Sequence, residues 1–213
     1  MAASSVIRDR YRLAVDLGAG CGLRQGEIFA LAVDDVDFSR KLVHVRRQLK
    51  IVKYRLIFAP PKGRKVRDVP LPGSVAAAMA EHIRQFPPVD VTLPLGVPDG
   101  EPETVRLFIS TSMHTAVNRK WFAPDVWHKA LRTAGVEVSR ENGLHALRHF
   151  YASALLSAGE SIKAVSEYLG HHDPGFTLRT YTHLMPESEA RTRRAVDAIL
   201  GRGRIDVHGL GTA

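Results

Sequence analysis

The stretch His145-Ala-Leu-Arg148-His149 carries two imidazoles and a guanidinium within five residues. On a helix His145 and Arg148, three apart, share a face and can present an imidazole beside a guanidinium to one anion. His145 and His149, four apart, also have zinc-ligand spacing. The glutamate that follows the first histidine in the metalloprotease motif is absent and no third ligand stands out, so a zinc pair, an anion site and a structural helix all stay open. Leu169-Gly170-His171-His172 puts His171 just beyond a helix end marked by Gly170. A basic residue there also simply suits the helix dipole. Tyr181 has a phenol of ordinary pKa about 10, which needs help to act as a nucleophile. Arg24 precedes Glu27 by three residues, so the carboxylate can hold the guanidinium, or the two form a surface ion pair worth little. Lys62-Gly63-Arg64-Lys65-Val66-Arg67 is a basic turn, suited to contacting phosphate or to plain solvation.

These residues need elements to carry them. Apolar positions at helical spacing predict a helix over Ile7 to Leu17, broken by Gly18, Gly20 and Gly22, then a short helix from about Arg24 to Ala32. Val33 to Lys50 reads as a strand pair turning near Ser39 to Lys41, and Leu56 to Phe58 as a further strand. Pro60 to Gly63 reads as a turn, with Val66 to Leu71 as the returning strand, so Lys62 is expected at a hairpin tip. Gly73 to Phe86, Asn118 to Ala134, Gly143 to Ala158, Ser161 to Leu169 and Glu187 to Leu200 read as helices. Pro87 to Glu103, with five prolines, reads as a loop or linker. The expected class is α+β, mostly helical with a small three-stranded antiparallel sheet.

The 213 residues are enough for a hydrophobic core, and the one cysteine, Cys21, excludes an intrachain disulfide and a cysteine zinc cluster. No apolar run approaches the ~18 residues of a membrane helix, and Met1 to Arg10 lacks a signal-type apolar segment. The expected setting is the cytoplasm. A net charge of +8, with a pI near 9.9, suits a polyanionic partner, most often nucleic acid.

Each signal is weak alone, but their order is not. Gly-Leu-Arg24-x-Gly-Glu27, a Lys62 turn leading to Val69-Pro70-Leu71, His145-x-Leu-Arg148-His149, Leu-Gly-His171 and Tyr181 together resemble the catalytic domain of tyrosine recombinases, the phage-integrase family. The resemblance covers about residues 6 to 200. It implies a catalytic domain over residues 1–200 and a flexible tail over 201–213. Family members usually carry a preceding helical domain that clamps the other face of DNA. Here the motif begins by Arg24, so that domain is expected to be missing.

The resemblance further implies that Arg24 and Arg148 clamp the scissile phosphate and that Tyr181 attacks it. Lys62, with Lys65 as a rival, would protonate the leaving oxygen. His145 would assist Tyr181 or bond the phosphate, and His171 would donate to a non-bridging oxygen. Glu27 and His149 would be supporting residues. The implied activity is site-specific integration or excision of a mobile element through a 3′-phosphotyrosine link. The implied partners are double-stranded DNA with attachment-type sites and further copies of the chain, as a tetramer on paired sites. No metal or other cofactor is implied, and the sequence holds no phosphate-binding Gly-x-x-x-x-Gly-Lys-Ser/Thr loop. The apolar stripe Val196, Ile199 and Leu200 would pack on its own domain or on a neighbouring protomer. The contrasting reading is a decayed remnant that binds DNA without cutting it.

Overall fold

The computed structural model describes residues 6–181 and 189–200. Helix α1 (Asp9–Cys21) packs against α3 (Gly73–Gln85) and α6 (His145–Ser157). Gly18 and Gly20 do not break α1 as expected. A Cβ on Gly18 would lie 3.0 Å from Leu147 of α6, and one on Gly20 would lie 2.4 Å from Val75 of α3. Both glycines therefore mark close approaches of packed helices. The helix ends at Gly22, whose left-handed φ of 62° suits glycine.

After α2 (Gln25–Ile28) the chain does not continue as a helix to Ala32. Phe29, Ala30, Leu31 and Ala32 are all buried, which leaves no solvent face for a helix to present. A tight turn over Val33–Asp35 then leads into β1 (Val36–Asp37), which pairs with β2 (Leu42–Val45). The expected turn between them is present, with Asp37 accepting from Ser39 and from the Arg40 amide.

The Lys62 region differs from the expected hairpin. β3 (Gln48–Val52) and β4 (Arg55–Ala59) pair with each other through a two-residue turn at Lys53 and Tyr54. β5 (Arg67–Pro70) pairs with β2 instead, giving the three-stranded antiparallel order β1-β2-β5. Lys62 thus lies on a crossover between two sheets. The reason is visible in the alternation. Arg67 and Val69 face inward opposite Val45 and Val43, while Asp68 and Pro70 face out.

The proline-rich stretch contains a hairpin rather than only a loop. β6 (Val89–Pro94) and β7 (Pro102–Leu107) pair antiparallel, with Pro94 opposite Pro102 at the end of the ladder next to the connecting loop. Proline at a ladder end removes little pairing. The helix expected over Asn118 to Ala134 is present as α4 (Arg119–Phe122), a wider π turn over Ala123–Trp127, and α5 (His128–Thr133). Pro124, which has no amide hydrogen, sits in the wide turn. Next come α6, α7 (Ile162–Leu169) and α8 (Pro174–Tyr181), and then α9 (Glu189–Leu200). Val196, Ile199 and Leu200 of α9 are exposed. Glu187 and the expected tail over 201–213 lie outside the described residues.

Gly22→Ala is expected to cost about 2 kcal/mol or more, because it combines a positive φ with a Cβ only 2.4 Å from Tyr151 Cδ1. Gly73→Ala, where a Cβ meets no atom within 4 Å, should stay within about 0.5 kcal/mol. Urea unfolding midpoints of the two variants check this; equal midpoints would contradict it.

Candidate active site

The site is assembled on the carboxyl end of α7. The last carbonyls of a helix lack intrahelical partners and carry the negative end of its dipole. Four successive carbonyls here each accept from a different basic side chain. Tyr168 O accepts from Arg67 Nε at 2.6 Å, and Leu169 O from Arg148 Nη2. Gly170 O accepts from Arg24 Nη2 at 3.4 Å, and His171 O from Lys65 Nζ at 3.2 Å. Gly170, with φ of 62°, ends the helix and turns His171 toward the site.

Glu27 closes the array from the other side. Its Oε1 accepts from Arg24 Nη1 and Arg67 Nη1, both at 3.0 Å. Its Oε2 accepts from the Arg24 amide at 2.9 Å and Arg67 Nη2 at 2.7 Å. All four acceptor positions of the carboxylate are filled. Burial pushes the Glu27 pKa up, but the bonds and charges of Arg67 and Arg24 outweigh it and hold the group below the usual range.

Arg148 is fully buried and gives Nη1 to Gly22 O at 2.7 Å. It therefore spans the ends of α1 and α7 with two of its five donors. Burial and then the Arg24 charge push its pKa down to about 9, so it is still a cation at neutral pH.

A cleft of about 530 Å³ opens over this base, and Arg24, Lys62, His145, Arg148 and His171 line it together. A larger groove of about 890 Å³ continues past Arg24, Lys62 and His145 along β3 and β4 to Arg119. Lys62 is exposed, whereas Lys65 is tied to the His171 carbonyl, which separates the two rivals. His171 Nδ1 sits 2.7 Å from Thr177 Oγ1, and burial followed by the charges of Arg148 and Arg24 pushes its pKa down to about 4.

Tyr181 ends α8 and is buried, and it does not line the cleft. Its hydroxyl lies 2.5 Å from His149 Nδ1, so of the two imidazoles it is His149 that meets Tyr181, while His145 lines the cleft. The His145 and His149 rings meet edge to face at 4.6 Å between centroids. Among the described residues no third His, Cys, Asp or Glu joins them as a metal-binding group. Burial lowers both pKa values, helped at His149 by Arg148 and at His145 by His149 and Arg148, which favours neutral imidazoles. Burial raises the Tyr181 pKa, and Arg148 lowers it in part.

Arg67 is a member of this array that the sequence reading did not single out. It looked like the end of a solvated basic turn. Its signal was the strand period, which puts it on the inward face with Val69.

A profile described as the phage integrase family matches residues 1–188. A XerC-like tyrosine recombinase of Caldanaerobacter subterraneus is 32% identical over 183 residues, which cover 81% of this chain and 45% of that protein. Tyrosine recombinase XerC of Chlorobaculum tepidum is 34% identical over 176 residues, covering 82% and 45%. The chain spans about half the length of these curated relatives. Among solved structures, the Tn1549 transposon integrase in complex with circular intermediate DNA matches with a TM-score of 0.71 at 20% identity, over 92% of this chain and 64% of that one. The catalytic domain of bacteriophage HP1 integrase matches with a TM-score of 0.58 at 19% identity, over 95% and 92%. At these identities the structural likeness establishes the fold. No helix among the described residues is long and apolar enough to cross a membrane.

A histidine whose folded pKa lies below its ordinary 6.5 binds its proton more readily when unfolded. The stability linked to neutral His171 is therefore full above that value and is lost as the pH falls toward about 4. Wild type should lose more thermal stability between pH 7.5 and 5 than His171→Asn, by differential scanning calorimetry (window from the ordinary histidine pKa, roughly 6.5). Equal losses would contradict the assignment.

Proposed function

The chain belongs to the phage integrase family, and on that footing we propose that it is the catalytic part of a tyrosine-type site-specific recombinase that cuts and rejoins double-stranded DNA. The observation that carries this reading is the set of guanidiniums fixed around one cleft by α7 and Glu27, with Lys62, His145 and His171 on the same cleft. A phosphodiester is the anion such a cleft fits. Arginine forks bond its oxygens in pairs, and those bonds tighten as charge grows on five-coordinate phosphorus. The supporting comparison is the Tn1549 integrase, whose structure is a complex with DNA.

In the proposed reaction the Tyr181 oxygen attacks phosphorus and the bond from phosphorus to O5′ breaks. The phenolic proton passes to neutral His149, which already sits at hydrogen-bond distance. The ammonium of Lys62 gives its proton to the departing O5′. Arg24 and Arg148 hold the non-bridging oxygens. His171 donates from Nε2 while Nδ1 accepts from the Thr177 hydroxyl. His145, on the cleft, bonds the phosphate. The product is a 3′-phosphotyrosine link that conserves the diester energy for rejoining, so no nucleotide is consumed. Tyr181 is buried against His149 and does not line the cleft, so in this reading the phenolate moves toward the phosphate once His149 has taken its proton.

Residues 1–200 form the catalytic domain in this reading, and its use is integration or excision of a mobile element in a cytoplasmic setting. A tetramer on paired sites gives the exposed Val196, Ile199 and Leu200 of α9 a protein surface to cover. A remnant that binds DNA without cutting is the second reading. The burial of Tyr181 favours it, and the arginine array held in place by α7 and Glu27 speaks against it.

Incubation with supercoiled plasmid in chelator, without nucleotide, and arrest in detergent tests the proposal. Wild type should relax the plasmid and leave a protein–DNA adduct. Tyr181→Phe should bind DNA and do neither. An adduct retained by Tyr181→Phe would move the nucleophile elsewhere, and DNA binding without cleavage by either protein would favour the remnant.

A further inference from the structure

The segment that carries Lys62 is latched to the segment between α7 and α8 at two points. One is the bond from Lys65 Nζ to His171 O at 3.2 Å. The other is at Gly63, which has a left-handed φ of 76°. A Cβ built there would fall 2.7 Å from His172 Nε2 and 3.0 Å from His172 Cδ2. The His172 ring therefore occupies the space beside Gly63 that any other residue would fill. Lys62 is the residue immediately before this contact, and both Lys62 and His172 border the cleft.

The physical consequence follows from what Lys62 is anchored by. Its side chain is exposed, and its segment is a single 3₁₀ turn on a crossover between sheets. A general acid must lie within hydrogen-bond reach of the leaving oxygen. A misplacement of only about 1 Å can cost about 100-fold in rate. The arginines have α7 and Glu27 to hold them, while the Lys62 turn has Lys65 and the ring of His172.

We propose that His172 is a positioning residue for Lys62: its ring, seated against Gly63, sets the height of the Lys62 ammonium over the cleft. This rests on the reading of Lys62 as the acid that protonates O5′. His172 is itself exposed, so its removal leaves no cavity in the core. The position is next to His171, so one two-residue segment sets both the donor to the phosphate and the acid for the leaving group.

The test compares ordinary nicked duplex with a duplex whose scissile 5′-bridging oxygen is replaced by sulfur, since a thiolate leaves without a proton. Adduct formation is timed for wild type, His172→Ala, Lys62→Ala and the double variant. On ordinary DNA His172→Ala should be slower by about 10- to 100-fold, with an unchanged melting temperature. On the sulfur substrate both His172→Ala and Lys62→Ala should approach wild type. The double variant should be no slower on ordinary DNA than Lys62→Ala alone. A His172→Ala defect equal on both substrates, a rate like wild type on ordinary DNA, or a multiplicative loss in the double variant would overturn the proposal. If wild type forms no adduct on either substrate, the recombinase reading itself fails and His172 falls with it. If wild type is active and the Lys62→Ala defect is not rescued by sulfur, the acid is another group and His172 has no Lys62 to position.

Discussion

The carboxyl end of one eight-residue helix is the constraint on which the site depends. Four consecutive carbonyls of residues 168–171 take Arg67, Arg148, Arg24 and Lys65 in turn. These four side chains come from widely separated parts of the chain: β5, α6, the start of α2 and the Lys62 crossover. A helix that ended one residue earlier or later would offer them a different set of acceptors. Gly170 sets that end, because the chain must enter the left-handed region there to turn away.

Glu27 makes the arrangement affordable in electrostatic terms. Three guanidiniums crowd together without DNA, and Glu27 lies between two of them with both oxygens saturated. Removing one partner of such a buried pair typically costs roughly 3–5 kcal/mol, because a charge is left uncompensated. One carboxylate against three arginines also leaves an excess of positive charge, which is what a phosphate at the cleft would neutralise. The donors are in place before any substrate arrives, so little reorganisation is needed as the reaction proceeds. The proposed nucleophile is arranged differently. Tyr181 is buried and bonded to His149, and burial raises its pKa, so the phenol keeps its proton while the cations already face the cleft.

Much of this was legible in the sequence because the relevant spacings are local. Arg24 with Glu27, and His145 with Arg148, are three apart, and their helices bring them together as expected. What failed to show was what depends on distant partners. Which imidazole meets Tyr181 is settled by how α8 lies against α6, and the two residues in contact are 32 positions apart. Helical spacing treats His145 and His149 alike. The sequence chose Lys62 over its rival Lys65 by resemblance alone, and could not show that the His171 carbonyl holds the second. The proline-rich stretch hid β6 and β7, although Val89, Val91 and Leu93 alternate as a half-buried strand should. Arg67 was hidden by its basic neighbours, since a charged residue inside a turn-like run seldom announces that it is buried.

In the proposed reaction the hydroxyl of Tyr181, and no other group, becomes joined to DNA at the phosphate held by this array. The most direct measurement is to trap the protein on a nicked duplex in detergent, digest it with trypsin and locate the nucleotide by fragment mass spectrometry. The DNA-linked peptide is predicted to be residues 180–191, with the phosphate on Tyr181 rather than on Thr180, Thr182 or Ser188. A nucleotide mapped to any other side chain would contradict the account.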